Sequence, residues 1–529
     1  MNRQRAVDVA FVGIVTLVGA WLRLRQLGVP CFWLDEIIHY DGATGAMKQS
    51  LWQWLAISQA ENGPLYYATQ LAGRLFLPME ASARIFPALC GIATIPLMWF
   101  AARPRGAAYA ATLLIAISPL HVYYSREGRP YAMIVLIAAA MTLVLLRGES
   151  MRAVILLLIA AFYTTALIAP FILAVSVAAF LTGKRRVAIA SIICLALMAL
   201  CYHPGSAPAG ERQLPHVTTH PMAWLFFLLA IVGAVTLARR NRQQAIVVIT
   251  LAVLPALIPV VAAWLFRPYF SVRYTLPALP AFLLLVALGV SALLRFEIVA
   301  AILLTIPAWK PALTEPFYKL DWRTIARSIA THSQPGDRIL AAHHWSAYCL
   351  GFYLRDVAPQ IPIVDAKGFP QPEPVTPTWI AVSQDPDGTF TPWACRFPIL
   401  LGSPIENFHL HFAGAQPQLP RIDEDSGRYV DEISAWRARR GRDLPPDFDR
   451  ARVAALLVRL GFNPDRAIPA LTSHRVTLAN LVSTIADNSI CEDDATFLRR
   501  LYAITGVHGK PGANRSEIAL EAGDSLRFR

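Results

Sequence analysis

Charged residues are scarce in this sequence. They make up 16% of its 529 residues, against about 25% in an ordinary soluble domain. Hydrophobic residues make up 55%, and the mean hydropathy is +0.45. The apolar residues also lie in long runs, which is the pattern of membrane spans. The shortage of charge therefore excludes a protein that is soluble throughout.

The sequence has no cysteine pattern that would indicate a metal site or a disulfide framework. Its seven cysteines form no CxxC pair and no metal-type spacing. Several lie inside apolar runs, where cysteine behaves as a small buried hydrophobe. The basic N-terminal stretch MNRQRAVDVAFVGIVTLVGAWLRLR has no small-residue cleavage site. We therefore expect it to be a retained first span.

Acidic residues are few in one part of the chain only. Residues 1–309 carry 23 Lys and Arg against 10 Asp and Glu, whereas residues 310–529 carry 25 of each sign. The formal net charge of +13 thus lies in the apolar part, where it flanks the runs instead of forming one basic face. This distribution argues against a nucleic-acid partner, in spite of an isoelectric point of 9.6.

The apolar runs predict about eleven transmembrane helices. They begin near residues 7, 85, 107, 130, 151, 168, 187, 221, 244, 274 and 297, and the runs 151–167 and 168–182 could instead be one long segment. Short basic connectors such as ARPRG and GKRR alternate with longer, acid-bearing ones. By the positive-inside rule the N-terminus is cytoplasmic and the long connectors are extracytoplasmic. We expect an integral protein of a bacterial inner membrane.

The first outer connector, residues 23–84, has an amphipathic pattern. MKQSLWQWLAIS and GPLYYATQLAGRLFLP place aromatic and leucine residues at helical spacing among polar ones, which is typical of helices that lie in the membrane interface. The alternative is an extra span over 64–78, but about 15 residues that include Gln70 and Arg74 are short for one.

Three segments are predicted along the chain. Residues 1–309 form a transmembrane module, and residues 310–420 form an extracytoplasmic α/β domain. The stretch DWRTIARSIATHSQPGDRILAAHHWSAYCLGFYL reads as helix, turn, strand and helix, and IPIV and TWIAVS read as further strands. Residues 421–529 form a charged, mostly helical extension to which we assign no chemistry.

Two adjacent carboxylates, Asp35 and Glu36, follow the first span in CFWLDEIIHY. If a helix begins at Asp35, His39 lies one turn further along the same face. An acid that caps a helix N-terminus is the plain alternative. The residues themselves leave both interpretations open.

Arginines occur on the outer side, where the charge rule makes them rare. They lie in SPLHVYYSREGRPYAM, in FRPYFSVRYTLPALP and at one outer helix boundary, and they are Arg84, Arg126, Arg129, Arg267 and Arg273. The guanidinium fork suits phosphate oxygens, whereas local ion pairs and snorkelling are the alternatives. Together with the carboxylates, such a set could bind a phosphate whose lipid tail remains in the bilayer, and could deprotonate an arriving hydroxyl.

The order of these motifs resembles that of a known family. W-x-DE after the first span, GPLYY, R-x-x-P-A-x-x-G, SP…YYSRE-x-RPYA and RY…P-x-x-P resemble the polytopic GT-C glycosyltransferases. The closest branch contains the protein O-mannosyltransferases and the lipid A aminoarabinose transferases. The resemblance covers about residues 1–345. One departure is ENGPLYY, where Asn62 and Gly63 replace two positions of a His-Pro-Pro type triplet.

The resemblance implies an inverting transferase that moves a sugar from a polyprenyl-phosphate donor to an acceptor hydroxyl outside the cytoplasm. Asp35 would be the general base, with Glu36 beside it as the second catalytic carboxylate. Arg126, Arg129, Arg267 and Arg273 would bind the donor phosphate. The further substrate-binding residues would be His39, Tyr66, Arg84, Tyr124, Tyr131 and Tyr274. The acceptor would be a lipid, a glycan or a protein. No cofactor is required, although Asp35 and Glu36 could hold a divalent cation.

Two other classes of function compete with this interpretation. A secondary transporter is expected to carry ionisable residues near the membrane midplane and a repeated half, but the predicted spans are nearly free of charge and show no clear repeat. A non-catalytic scaffold or sensor would act through the soluble domain. The pair His343-His344 could be offered as a metal site there, but such pairs are more often ordinary surface residues. The arginines on one face favour the transferase.

Overall fold

The computed structural model describes residues 3–46, 62–148, 150–202, 221–265, 270–294, 296–314, 319–365, 378–382, 399–403 and 408–413. The chain divides into two compact units, residues 1–319 and residues 320–529. The predicted extension over 421–529 and the first predicted interfacial segment, MKQSLWQWLAIS, lie outside the described residues.

The first unit is helical. Its α-helices are, in chain order, α1 Arg3–Leu24, α2 Leu34–Ala46, α3 Pro64–Arg74, α4 Met79–Ala102, α5 Ala108–Ile117, α6 Pro119–Ser125, α7 Tyr131–Arg147, α8 Met151–Thr164, α9 Ala169–Leu181, α10 Arg185–Cys201, α11 Pro221–Arg240, α12 Arg242–Leu265, α13 Leu279–Leu293 and α14 Glu297–Thr314. Short 3-10 turns lie at Arg103–Arg105, Ala166–Ile168 and Val272–Ala278. Each predicted apolar run coincides with one of the helices or with the 3-10 turn that leads into it.

Several of these helices can cross a bilayer by themselves. Among the described residues, five segments are long and apolar enough: Gln4–Leu24, Met79–Arg105, Met222–Arg240, Arg242–Leu265 and Val272–Leu293. The helices α5, α7, α8 and α9 are apolar but shorter, and a span needs about 20 residues. The polytopic α-helical membrane architecture is therefore confirmed, and the number of about eleven spans stays a prediction.

The two fused runs at 151–182 form separate helices. α8 ends before Thr165, whose backbone is extended with φ −171° and ψ 149°. Its hydroxyl accepts a hydrogen bond from Leu167 N at 3.3 Å, which starts the 3-10 turn before α9. An extended residue stops the helical hydrogen-bond ladder, so the alternative of one long segment does not hold.

Helices α11 and α13 approach each other closely because each carries a glycine at the contact. A Cβ atom added at Gly233 would lie 1.9 Å from Leu285 O, and one added at Gly289 would lie 2.0 Å from Leu229 O. Small residues allow helix backbones to pack tightly in a membrane, where apolar surface alone does not drive helices together. These two glycines therefore set the contact by which α11 packs on the helix that follows Arg273.

The first outer connector contributes a short helix instead of an extra span. α3 has 11 residues, so its length is about 16 Å, against about 30 Å of hydrocarbon core. Gly63 precedes it, and Pro64 occupies its first position, where the missing N–H costs no hydrogen bond. Its length excludes a span over 64–78, and its place in the interface stays a prediction.

The second unit is an α/β domain in its described residues. It contains α15 Trp322–His332, β1 Arg338–Ala341, α16 His344–Leu354, β2 Ile363–Asp365, β3 Thr378–Val382, β4 Ile399–Ser403 and β5 Phe408–Ala413. The strand order is β2-β1-β3-β5-β4. β1 pairs in parallel with β2 and β3, whereas β5 pairs antiparallel with β3 and β4. The predicted succession of helix, turn, strand and helix is confirmed.

Candidate active site

The acid pair Asp35 and Glu36 lies in the first turn of α2. Glu36 is in the first turn of the helix, and its Oε2 lies 3.5 Å from the backbone N of Trp33, one residue before the helix begins. This is the side-chain half of a capping box. His39 lies one turn further on, and its Nδ1 is hydrogen-bonded to the backbone carbonyl of Asp35. The capping position thus falls to Glu36 and not to Asp35.

Two arginines from distant elements converge on one oxygen of Asp35. Arg129 Nη1 lies 2.8 Å and Arg273 Nη1 lies 3.0 Å from Asp35 Oδ2. The Asp35 side chain is 23% exposed, whereas those of Arg129 and Arg273 are 3% and 16% exposed. One carboxylate therefore balances two guanidinium charges at an accessible position.

Aromatic rings hold the two guanidinium groups in place. Arg129 Nη2 donates to the hydroxyl of Tyr131 at 2.8 Å. The Tyr131 ring centroid lies 5.2 Å from Arg129 Cζ and 5.9 Å from Arg273 Cζ, and the Tyr274 centroid lies 5.6 Å from Arg273 Cζ. Both arginines thus lie within the range of a cation–π contact. This packing fixes the orientation of both guanidinium planes.

Glu36 is buried and paired on both oxygens. Arg84 Nε lies 2.7 Å from Oε1 and Arg84 Nη2 lies 2.7 Å from Oε2. Lys319 Nζ lies 2.8 Å from Oε2, and the backbone N of Gly128 donates to Oε1 at 2.7 Å. The Glu36 side chain has no exposed surface. Its geometry is that of a positioning residue, in contrast to the accessible carboxylate of Asp35.

These contacts keep Glu36 ionised. Burial opposes its charge, but the positive charges of Arg84 and Lys319 and the hydrogen bonds that it accepts outweigh burial, so its pKa falls from 4.5 to about 2. Arg84 in turn donates to the carbonyls of Leu27 and Pro30 at 3.1 and 2.7 Å. The predicted substrate contact Arg84 is therefore occupied within the protein.

Acid is expected to destabilise this unit through Glu36. Because folding lowers the pKa of Glu36, the unfolded chain binds a proton at pH values where the folded protein does not. The stabilisation is complete above pH 4.5 and is lost as the pH falls towards about 2. Thermal unfolding of the purified protein across this range measures the effect. The unfolding temperature of Glu36→Gln should fall less steeply over the same range, and equal slopes would contradict the assignment.

His39 is a neutral group behind Asp35. Burial, followed by the nearby charge of Arg129, lowers the pKa of His39 to about 3. Its Nε2 contacts the side-chain amide of Asn62, and its Nδ1 lies 3.3 Å from Arg129 Nη1. A proton on Nδ1 satisfies the Asp35 carbonyl and leaves Nε2 as an acceptor for the Asn62 amide. Asn62, where the sequence departs from the family motif, thus orients His39.

The other predicted contacts in the SREGRP segment and in α3 lie in the protein interior. The Tyr66 hydroxyl donates to the Gly128 carbonyl, and the side chain of Tyr66 is fully buried. Arg126 Nη1 donates to the carbonyls of Leu22 and Arg23 at 3.0 and 3.2 Å, at the C-terminal end of α1. Burial lowers the pKa of Arg126 to about 9. These residues support the loop that carries Arg129.

Two predicted contacts remain, Tyr124 and Arg267. Tyr124 is buried and packs edge-on against Tyr131, with ring centroids 5.0 Å apart. Arg267 lies outside the described residues. Among the residues that the structure describes, no group of three or more His, Cys, Asp or Glu side chains is placed to hold a metal ion. The exposed part of the site is thus the carboxylate of Asp35 and the side chain of Arg273, whereas Arg129 and Tyr131 beside them are buried.

Two buried charged residues were missed from the sequence. Lys319 reaches Glu36 from a position 283 residues away, and Glu127 is 2% exposed with a pKa that burial raises. Lys319 follows the last apolar run on the outer side, so the charge rule that singled out Arg129 could also have singled it out. Glu127 was present in the quoted motif but was read only as a partner for its neighbouring arginines.

Comparisons with known proteins add two structural likenesses. No protein-family model matches the sequence, and no curated protein matches it. The chain is similar in structure to ArnT from Cupriavidus metallidurans in the apo state, with 15% identity and a TM-score of 0.49 over 78% of this chain and 100% of that one. Against ArnT bound to undecaprenyl phosphate, the TM-score is 0.48 at 15% identity, over 78% of this chain and 99% of that one. At these values, function has to be argued from the site.

Proposed function

We propose that this chain is an inverting GT-C type glycosyltransferase that moves a sugar from a polyprenyl-phosphate-linked donor to an acceptor hydroxyl. The observation that carries the proposal is the accessible carboxylate of Asp35 held between Arg129 and Arg273 at 2.8 and 3.0 Å. A carboxylate of this kind can accept a proton, and guanidinium groups are suited to bind a phosphate. The resemblance of the motifs to the GT-C family supports the same chemistry.

The donor phosphate is expected to bind at the two guanidinium groups. Each presents several N–H donors in a fixed plane, which suits a phosphate better than the single ammonium of a lysine does. The two guanidinium groups beside Asp35 would meet the charge of this phosphate. On binding, it would take over hydrogen bonds that Asp35 accepts in the free protein, and so leave the carboxylate for the acceptor. We assign no role to a divalent ion, because the arginines supply the positive charge.

The transfer is written as one displacement. The acceptor oxygen forms a bond to the anomeric carbon while the bond from that carbon to the phosphate oxygen breaks. Asp35 takes the proton of the acceptor hydroxyl, and the polyprenyl phosphate leaves with the bonding electron pair. The guanidinium groups stabilise the charge that grows on this leaving group, an electrostatic contribution that is often the largest in catalysis. Attack from the opposite face inverts the configuration of the sugar.

The site belongs on the extracytoplasmic side in this proposal. The short basic connectors between the helices indicate a cytoplasmic N-terminus and an extracytoplasmic α/β domain, by the positive-inside rule. We infer a bacterial inner membrane, because a polyprenyl-phosphate sugar is presented there. The proposal covers hexose and pentose donors, and acceptors that are lipids, glycans or proteins.

A complementation experiment tests the function. A deletion strain carries wild type or Arg129→Ala, and mass spectrometry compares its surface glycolipids, glycans and proteins. We expect a product lighter by one sugar unit in the deletion strain, restored by wild type but not by Arg129→Ala, because the variant loses one of two phosphate ligands. The mass difference identifies the sugar, and the molecule that carries it identifies the acceptor.

The matched control is Arg147→Ala. Arg147 is exposed at the far end of α7, where its Nη2 donates to the carbonyl of Phe100 at 3.3 Å. We expect this variant to restore the product fully. Full restoration by Arg129→Ala at equal protein level would contradict the assigned site and would favour a transporter or a scaffold. Transfer by the purified protein from a polyprenyl-phosphate sugar separates the enzyme from a transporter.

A further inference from the structure

Lys319 is a buried cation that has no role in the proposed reaction. It is the last residue of the first compact unit. Its ammonium lies 2.8 Å from Glu36 Oε2, and its side chain is 6% exposed. Removing an ammonium from water costs several kcal/mol unless it is paired. A lysine in this place therefore has a partner that it must hold, and that partner is Glu36.

Glu36 joins the elements that carry the two groups of the proposed reaction. It follows Asp35 directly in α2, and its Oε1 accepts a hydrogen bond at 2.7 Å from the backbone N of Gly128, the residue before Arg129. A shift of the Glu36 carboxylate would thus move α2 and the Arg129 loop relative to one another. The position of the Arg129 guanidinium decides how well it meets a donor phosphate, so such a shift would weaken donor binding.

The charge of Lys319 acts on two carboxylates at this junction. Glu36 is fully buried, and the neighbouring Glu127 is 2% exposed. The positive charge of Lys319 opposes the rise that burial causes in the pKa of Glu127. Without the ammonium, Glu36 would face Glu127 with Arg84 as the cation that remains beside it. Lys319 therefore supplies positive charge to both carboxylates.

We propose that Lys319 is a positioning residue of the donor site, which holds α2 and the Gly128–Arg129 loop in register through Glu36. The segment that leads into the second unit is then part of the machinery that sets Asp35 relative to Arg129. The inference rests on the proposed function and extends it. Under this proposal, the position of Lys319 at the end of the first unit helps to set the distance between Asp35 and Arg129.

Steady-state kinetics of three purified variants test this role. For Lys319→Met, we expect the KM for the polyprenyl-phosphate sugar to rise about tenfold while kcat changes less than about threefold, because a misplaced Arg129 loop weakens donor binding first. Lys319→Arg keeps the cation, and its KM should return to within about threefold of wild type. Lys310→Met removes an exposed lysine from α14, and we expect no change.

A double-mutant cycle shows whether Lys319 acts through Glu36. In a Glu36→Gln background, Lys319→Met should raise KM by less than about twofold, because contacting residues are coupled. Full tenfold effects in both backgrounds would overturn the proposal, as would a KM for Lys319→Met equal to that of wild type. If Lys319→Met gives no folded protein, Lys319→Gln replaces it, with an expected rise of at least about threefold and the same overturning result.

The outcome also separates this inference from the proposed function. A folded wild-type protein that transfers no sugar from any polyprenyl-phosphate donor counts against the function. An active wild type whose KM is unaffected by Lys319→Met overturns the inference alone and leaves the function in place.

Discussion

Replacing Asp35 with asparagine is expected to slow sugar transfer by at least about 100-fold, because a positioned general base contributes about 10²–10⁴-fold. Asparagine has the same shape, and its amide oxygen can still accept hydrogen bonds from Arg129 and Arg273. It cannot take the proton of the acceptor hydroxyl. The loss should therefore appear in kcat, with the fold and the site geometry retained.

Donor binding should respond to the same substitution in the opposite direction. In the free protein the Asp35 carboxylate occupies both guanidinium groups, so a donor phosphate competes with it. Asp35→Asn removes the competing charge, and we expect a polyprenyl phosphate to bind at least as tightly as to wild type. A merely structural role for Asp35 predicts that binding and turnover fall together.

The measurements are single-turnover transfer and equilibrium binding of a polyprenyl phosphate, both on purified protein. Asp41→Asn is the matched control, since Asp41 lies six residues further along the same helix and its substitution removes the same charge. It should keep wild-type turnover. A wild-type rate for Asp35→Asn, or a loss of binding as large as the loss of rate, would contradict the assignment of Asp35 as the base.

Arg84→Met is expected to be the most destabilising substitution in this site. It breaks a fully buried pair in which Arg84 and Glu36 are 1% and 0% exposed. Removing one partner of a buried ion pair costs about 3–5 kcal/mol, since the other charge is left in a medium that cannot solvate it. Lys319 and the Gly128 N–H remain on Glu36, which keeps the cost within that range.

Heating of the purified protein, followed by the fraction that stays monodisperse, measures this loss. The matched control is Arg103→Met, whose partner is Asp8 at 2.9 Å and whose side chain is 52% exposed. Exposed pairs are worth about 0–1 kcal/mol, so this variant should unfold close to wild type. Equal shifts in the unfolding temperature of the two variants would show that burial does not determine how much the Arg84–Glu36 pair stabilises the protein.

The site consists of an accessible group and a buried support. Arg129 and Arg273 meet the partly exposed carboxylate of Asp35, whereas the side chains of Glu36, Arg84 and Lys319 are only 0%, 1% and 6% exposed. The buried support fixes α2 and the loop before α7, so that the accessible groups need little reorganisation on binding. Such preorganisation is what makes charged groups effective in catalysis.

Much of the architecture was predictable from local pattern. Apolar runs of helical length place α1, α4 and the later helices, because hydrophobic length is a property of the chain itself. The alternation of helix and strand after Asp321 was readable for the same reason. The number of helices that cross the bilayer was less predictable, since several apolar helices are shorter than a span.

The candidate site was only partly predictable. Asp35, Arg129 and Arg273 were named because acids and arginines stood on the outer side of predicted spans. Arg126 was named by the same rule and Tyr66 through the family resemblance, yet both side chains point into the protein and support the loop. A charge rule reports the side of the membrane on which a residue lies, but not the direction of its side chain.

The sequence by itself determined the apolar helices, and it predicted an outer position for the acid pair, since both depend on neighbours a few residues away. Only the tertiary structure decided which acid meets which cation. Asp35 and Glu36 are adjacent and differ by about 100° around the helix axis, so one faces solvent with Arg273 and the other is sealed with Lys319. Their partners lie 238 and 283 positions away, and packing alone brings them together.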